Sequence, residues 1–535
     1  MRALKQPVNS CVSTPSVSIA EHYLKTAVQR LVVVRRTLAS YGRLPLRDYL
    51  TRLSRFRESS CQGRADLFEA VRDYASPLLG EGLAERAAND LAHTPVVLTA
   101  NHHGVDFFAQ SLQSSLAFAL RESDATTRPS TVPVFACGAI PLNNLTYPRG
   151  MLIYRGSRNA APHWPIKLPV FPDRCRHDLV SDASGFDKTM LHRTGHRVQR
   201  LVAEGRIAWD LQSSLQSILQ TDYADPSVLA EHGYSEQAVM LNQRIWKRLF
   251  RNPEAAPDLV YLEIEKIAAR LLRDDLANTS SLAWRVLFER EVRDSVLADL
   301  DGQRACWDLS ALHARAGGGA TGSGRPSAAA GCGTVFFWGI DGNKRRIPLS
   351  LRPGNPGMLV GVGEHGERSE MPLEPTRVCT ALKEQELLPS LFTSYLCIAL
   401  ARGVNCVGGY YQAEYLPVMQ HAVAGALSKC GRGTAVAEEV SLVPTTAYLS
   451  GMQTVMGAAG DAALLPAGVF EIIAGGGLDE GDLTRMGELS VRDAHLASVA
   501  DTVLDVAADT IDSDRWQERL GVDLRSVLGN RIVVK

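Results

Sequence analysis

The 535-residue chain lacks an excess of charge of either sign: 57 lysines and arginines face 58 aspartates and glutamates, for a formal net charge of −1. Without a basic surplus no global field holds a polyanion, which argues against nonspecific nucleic-acid binding. Long apolar runs are missing as well. Residues 392–401 form the longest strongly apolar stretch, well short of the ~20 residues of a spanning helix, so no membrane span is expected. Arg2 and Lys5 are not followed by an apolar core with a small-residue cleavage site, as a secretory signal would need, and the expected location is cytoplasmic. Ten cysteines never occur as Cys-x-x-Cys, which argues against a zinc ribbon or a disulfide framework and reads as reduced, buried thiols. A Gly-x-x-x-x-Gly-Lys-Ser/Thr loop, a Gly-x-Gly-x-x-Gly after a strand, a Gly-x-Ser-x-Gly elbow and the kinase motifs are all absent. P-loop hydrolysis and the commonest α/β chemistries fall away, and no motif assigns a cofactor.

What is present is a globular composition, 45% hydrophobic and 21% charged, in alternating blocks. Residues 1–18 have no hydrophobic period and read as a flexible tail. Tyr23, Ala27, Leu31 and Val34 open a helical region over 19–90. A strand-rich α/β segment follows over 91–187, with strands expected at 95–100, 132–137, 150–155 and 167–171 and a helix, capped by Asn101, running through Phe107 to Leu120. Residues 188–314 return to helical periodicity. The run 315–333 is too poor in large apolar residues to offset the entropy of ordering and reads as a mobile loop. A second α/β segment covers 334–430, with a hairpin about Asp341-Gly342-Asn343 and a long buried helix over 382–402. Residues 431–535 read as helical. The expected fold is α/β, or α+β, with a mixed central sheet shared by the two strand-rich segments and surrounded by many helices.

The most informative stretch is VVLTANHHGVDFF, residues 96–108. A strand running straight into a helix puts the turn at a sheet edge, where free amides and ligands meet. If Asn101 caps that helix, His102 and Asp106 share a face and form a general-base pair, with His103 as a further candidate. The bland alternative makes Asp106 a cap or the partner of a structural histidine. A metal site is the competing functional reading, with His102, His103 or Asp106 as ligands and His192 and His196, four apart, completing the shell. In the loop 137–156, Asn143 and Asn144 are turn formers with polar side chains, and Arg149 and Arg155 can clamp a carboxylate or phosphate. Further basic turns hold Arg174, Arg176 and His177, and Lys344 to Arg346. Tyr411 and Gln412, after Gly408 and Gly409, offer donors and a stacking face to the same pocket. Glu263 and Glu265 read as residues of one amphipathic helix on different faces, so that one of them at most lines a site.

The order of His102 with Asp106, then residues 150–155, then Phe171-Pro172-Asp173 is similar to that of glycerolipid acyltransferases, which carry a His and Asp dyad, a Gly-x-x-x-x-Arg stretch and a Phe-Pro-Glu-Gly segment. The similarity covers under 80 residues. Three residues and not four separate His102 from Asp106, and Arg174 stands at the family glycine. From the residues themselves the expectation is an enzyme, a transferase or hydrolase, acting on a small polar, anionic metabolite, with His102 as general base, Asp106 as its orienter and Arg149 or Arg155 as anion clamp. The alternatives are a metal-dependent enzyme built on the histidine turn and a noncatalytic ligand- or protein-binding module.

Overall fold

Val96, Val97 and Leu98 are all buried, as a strand covered on both faces requires, and they form β1 (Val96–Leu98) at the middle of a parallel sheet. The computed structural model describes residues 18–54, 64–121, 129–156, 165–316, 332–431, 433–460, 462–511 and 515–535. The tail expected up to residue 18, apart from Ser18 itself, and most of the loop expected over 315–333 lie outside the described residues.

Along the chain β1 is followed by β2 (Thr131–Ala136), β3 (Gly150–Ile153), β4 (Ile166–Pro169), β5 (Asp258–Glu263), β6 (Phe337–Ile340), β7 (Arg346–Arg352), β8 (Asn355–Val362), β9 (Arg368–Pro372), β10 (Leu387–Pro389), β11 (Asn405–Gly409) and β12 (Tyr448–Ser450). The central sheet has the order β12-β11-β1-β2-β5, and every pairing in it is parallel. The α/β class expected from the sequence is thus correct. The sheet is parallel throughout, not mixed, because every connection within it is long enough to carry helices back over a face. Strands of both halves share it, β1 and β2 from the first and β11 from the second. Antiparallel pairing is confined to a separate sheet, β10-β6-β7-β8-β9, the β3-β4 hairpin, and a small sheet in which Val455–Ala459 pairs antiparallel with Ala463–Pro466 and parallel with Val533–Val534.

Alternation along the strands divides the core in two. Val96, Leu98, Val134, Tyr261 and Val407 face one apolar cluster, which also takes in the N- and C-terminal helices and the Lys188–Ala203 and Tyr234–Arg248 helices. Val97, Phe135, Val260, Leu262 and Cys406 face the other, against the Ala65–Leu79, Glu81–His93 and Ile264–Asp275 helices and the antiparallel sheet. Successive side chains of a strand point to opposite faces, so each parallel strand feeds both layers.

Three local expectations need correction. β5 lies inside the block read as wholly helical. Residues 382–402 are not one helix: the Pro375–Lys383 helix ends first, β10 intervenes, and the Leu391–Tyr395 helix continues into a π-helical turn at Leu396–Leu400. The C-terminal region, read as helical, carries β12 and three further strand pieces, Val455–Ala459, Ala463–Pro466 and Val533–Val534. No helix among the described residues is long and apolar enough to cross a membrane.

Candidate functional site

β1 runs out of the sheet into the turn that carries both histidines. The backbone keeps company with β2 for a few more residues: His103 N donates to Cys137 O at 2.7 Å, and Cys137 N donates to Asn101 O at 2.9 Å. His102 therefore sits at the C-terminal end of the central strand. β1 also borders the place where strand order reverses, since β2 lies on one side of it and β11 on the other. Ligands of open parallel sheets gather at such a crevice.

The turn is not the start of a helix. Residues 101–108 are irregular, Gly104 adopts φ +118°, and the following helix, Ala109–Phe118, has Phe108 at its N-cap. A Cβ on Gly104 would come within 2.6 Å of Pro148 Cβ, so the close approach of the two loops requires glycine there. Asn101 is not the cap, and the shared helical face argued for His102 and Asp106 does not exist. Asp106 instead accepts from Asn101 Nδ2 at 3.2 Å, from Phe108 N at 3.2 Å and from Ser111 Oγ at 2.5 Å. Asn242 fastens the same turn by accepting from Asp106 N and donating to Gly104 O, both at 2.8 Å. A cavity of about 10 Å³ against Asp106, lined also by Leu112, Ser115 and Trp246, is too small for a metabolite. Burial pushes the Asp106 carboxyl up to about 6 against the three hydrogen bonds that favour its ionised form.

Among the described residues no hydrogen bond joins His102 to Asp106. His102 is half-buried, and its ring belongs to the loop before β3: Thr146 Oγ1 lies 3.4 Å from Nδ1, and the Asn144 side chain also bonds the ring. Burial lowers the His102 pKa, with the Asn144 contact opposing the shift, so the surroundings favour the neutral imidazole. The loop holds Tyr147 at φ +57°, a left-handed conformation unusual for an aromatic residue, and Tyr147 N donates to Asn144 O at 2.9 Å to close the turn.

His103 points the other way, fully buried. Its Nε2 is 3.0 Å from Ser235 Oγ, which donates to Glu263 Oε2 at 2.5 Å, and Lys266 Nζ lies 3.2 Å from the same hydroxyl. Lys266 also pairs with Glu236 and stands 3.6 Å from Glu263. Burial, reinforced by the Lys266 charge, drives His103 down to about 3. Burial raises the Glu263 carboxyl, and Lys266 opposes that rise. His103 is wholly enclosed by this polar cluster, with 0% of its surface exposed. Glu263 and Glu265 also depart from expectation, because Glu263 closes β5 while Glu265 opens the next helix, and both are buried. Glu265 accepts from Gly138 N at 2.8 Å and Ala139 N at 3.0 Å, anchoring the chain beyond β2. The Ser235, Glu263 and Lys266 network was not foreseen, and only the charged run Glu263-Ile264-Glu265-Lys266 at the end of a strand hinted at it.

The expected anion clamp is occupied by carboxylates. Arg149 forms a 2.8 Å ion pair with Asp173, and Arg155 pairs with Asp210. Asn143 is exposed and contributes only its backbone, donating to Arg176 O at 3.0 Å. Gln412 does reach β1, donating to Thr99 Oγ1 at 2.8 Å while accepting from Tyr395 OH at 2.7 Å, but it is buried and serves to tie β11 to β1. Tyr411 turns to Arg304, whose guanidinium lies 4.1 Å from the ring centroid, and to Asp505 O at 3.4 Å. His192 and His196 are exposed on one face of the unbroken Lys188–Ala203 helix with ring centroids 4.4 Å apart, and Gly195 does not interrupt it. No group of three metal-ligating side chains occurs among the described residues.

These features define an α/β protein with a parallel sheet and one half-buried, neutral histidine at the C-terminal edge of its central strand. No family model, no curated protein and no solved structure matches the chain.

Proposed function

We propose that the chain is an enzyme that carries out group transfer to, or hydrolysis of, a small anionic metabolite, with His102 as the general base. The observation that carries this reading is the neutral imidazole at the sheet edge, held by Thr146 and Asn144, beside the reversal of strand order. A neutral imidazole takes the proton of an attacking hydroxyl or water and returns it to the leaving group. Thr146 and Asn144 orient the ring in place of Asp106, whose part is to shape the turn. The eight described cysteines are free thiols, which suits a reducing cytoplasm.

The test is turnover by the purified full chain, assayed with acyl thioester donors and phosphorylated hydroxy acceptors and, separately, with ester and phosphoester substrates for hydrolysis. Loss of at least about 100-fold in kcat/KM on His102→Ala supports the reading, since general-base catalysis contributes about 10²–10⁴-fold. Full activity in that variant rejects it.

A further inference from the structure

A second concavity lies away from the Asp106 cavity, between β4 and the Lys188–Ala203 helix. Its volume is about 300 Å³, at the lower end for small-molecule sites, and its walls include Lys167, Arg197, Arg200, Glu204 and Arg206. Charge segregation here is visible in the sequence itself: residues 155–172 and 188–203 contain no aspartate or glutamate. Other arginines of the protein are paired with carboxylates, as Arg149 is with Asp173 and Arg402 with Asp66 and Asp275. In the groove, Lys167, Arg197 and Arg206 have no carboxylate within ion-pair distance among the described residues. Arg200 meets Glu204 only at 3.9 Å, and Arg197 has a long 3.5 Å hydrogen bond to Pro169 O.

Four cations around one concavity, with a single carboxylate among them, repel one another unless an anion is shared. Guanidinium forks match the oxygens of a phosphate in pairs, while an ammonium supplies a point charge. We propose that this groove is a binding site for a phosphomonoester, with Arg197 and Arg206 as its principal contacts and Lys167 and Arg200 completing the charge. The groove is tied to the loop that holds His102: Thr146 touches the imidazole, and the ring of the next residue, Tyr147, receives Lys167 Nζ at 5.2 Å from its centroid. The proposal stands apart from the reading of His102, because it is decided by binding and not by turnover.

The phosphomonoester can belong to a free metabolite or to a lipid headgroup. Isothermal titration of the full chain with inorganic phosphate, and flotation with vesicles of phosphatidic acid in phosphatidylcholine against phosphatidylcholine alone, separate the two. Saturable phosphate binding is expected, weakened by about tenfold or more in Arg197→Ala/Arg206→Ala, the scale of lost charged hydrogen bonds. His102→Ala should leave it unchanged, and Arg197→Lys/Arg206→Lys should retain it in part. Binding confined to phosphatidic acid vesicles, and lost in the double alanine variant, assigns the same groove to a headgroup. Equal phosphate or vesicle binding by wild type and a folded double variant overturns the proposal, as does absence of binding to both probes.

Discussion

Asp106 accepts a 2.5 Å hydrogen bond from the hydroxyl of Ser111, five residues along the chain, and is thereby committed to the turn that presents His102 and not to the imidazole itself. Two substitutions should therefore separate. Asp106→Ala leaves the Asn101 side-chain amide and the Phe108 amide without their acceptor, and should lower unfolding free energy by about 2–3 kcal/mol in a denaturant titration. His102→Ala removes a half-buried ring held only by the Thr146 and Asn144 side chains and should cost under about 1 kcal/mol while lowering kcat/KM by at least about 100-fold. A catalytic collapse without a stability loss in Asp106→Ala would show that the carboxylate acts on the imidazole after all.

The pH dependence of catalysis has a definite sign. The base form of His102 is the active one, and burial lowers its pKa from the ordinary 6.5. The pH profile of kcat/KM should rise through an apparent pKa below 6.5 and be flat on this limb at neutral pH. A limb centred above 6.5 would mean a charged partner at the ring.

Stability responds to acid through a different histidine. His495 is buried, with Nδ1 donating to Val491 O at 2.7 Å and Nε2 accepting from Tyr448 OH at 2.8 Å, and burial lowers its pKa to about 4. The unfolded chain protonates this residue near 6.5 while the folded chain does not, so stability is lost as pH falls below that value. Between pH 7.5 and pH 5 the loss attributable to it is about 2 kcal/mol. His495→Asn should be the less stable protein at pH 7.5 but should lose about that much less on acidification, as read from denaturant midpoints at the two pH values. The comparison with the variant is needed because Asp501, raised to about 7 by burial, works in the opposite direction over the same range.

An ion-pair triad about a buried guanidinium ties two layers of helix together. Arg402, 4% exposed at its side chain, contacts Asp66 of the Ala65–Leu79 helix and Asp275 of the Ile264–Asp275 helix. Arg402→Met leaves two carboxylates facing each other without a cation, and the expected loss is about 3–5 kcal/mol. Restoration of most of that stability by adding Asp275→Asn, measured in a double-mutant cycle, would confirm that repulsion and not lost packing carries the effect.

The division between what the sequence reveals and what it conceals follows sequence separation. β1 was legible because a parallel strand buried on both faces is a continuous apolar run, and the Asp341 hairpin because its turn chemistry is local. β5 was missed because Asp258–Glu263 is followed at once by a helix of matching amphipathicity, leaving no turn residue to mark the boundary. Residues 382–402 look like one helix for a similar reason, since β10 is only three residues long. At the site, the spacing of His102 and Asp106 suggested a helix, but Gly104 between them was the overriding signal, for its positive φ breaks the period. Ser235 lies 132 residues from His103 and Thr146 lies 44 from His102, so no local pattern could pair them.

Asn144 offers the most direct test of how His102 is held. Its hydrogen bond favours the protonated imidazole and opposes the effect of burial, so removing it should lower the His102 pKa further. In Asn144→Ala the limb of the kcat/KM profile should move to lower pH. The plateau rate should also fall by about 10- to 100-fold, because the ring loses a contact that fixes its orientation. Thr146→Val, which keeps the shape of the residue and removes its hydroxyl, should lower the plateau as well, since Thr146 Oγ1 lies 3.4 Å from Nδ1. A residue that merely packs the loop would lower the rate through stability and leave the limb where it was, so a displaced limb at unchanged melting temperature marks Asn144 as a positioning residue. An unmoved limb would detach the Asn144 to Tyr147 loop from the chemistry.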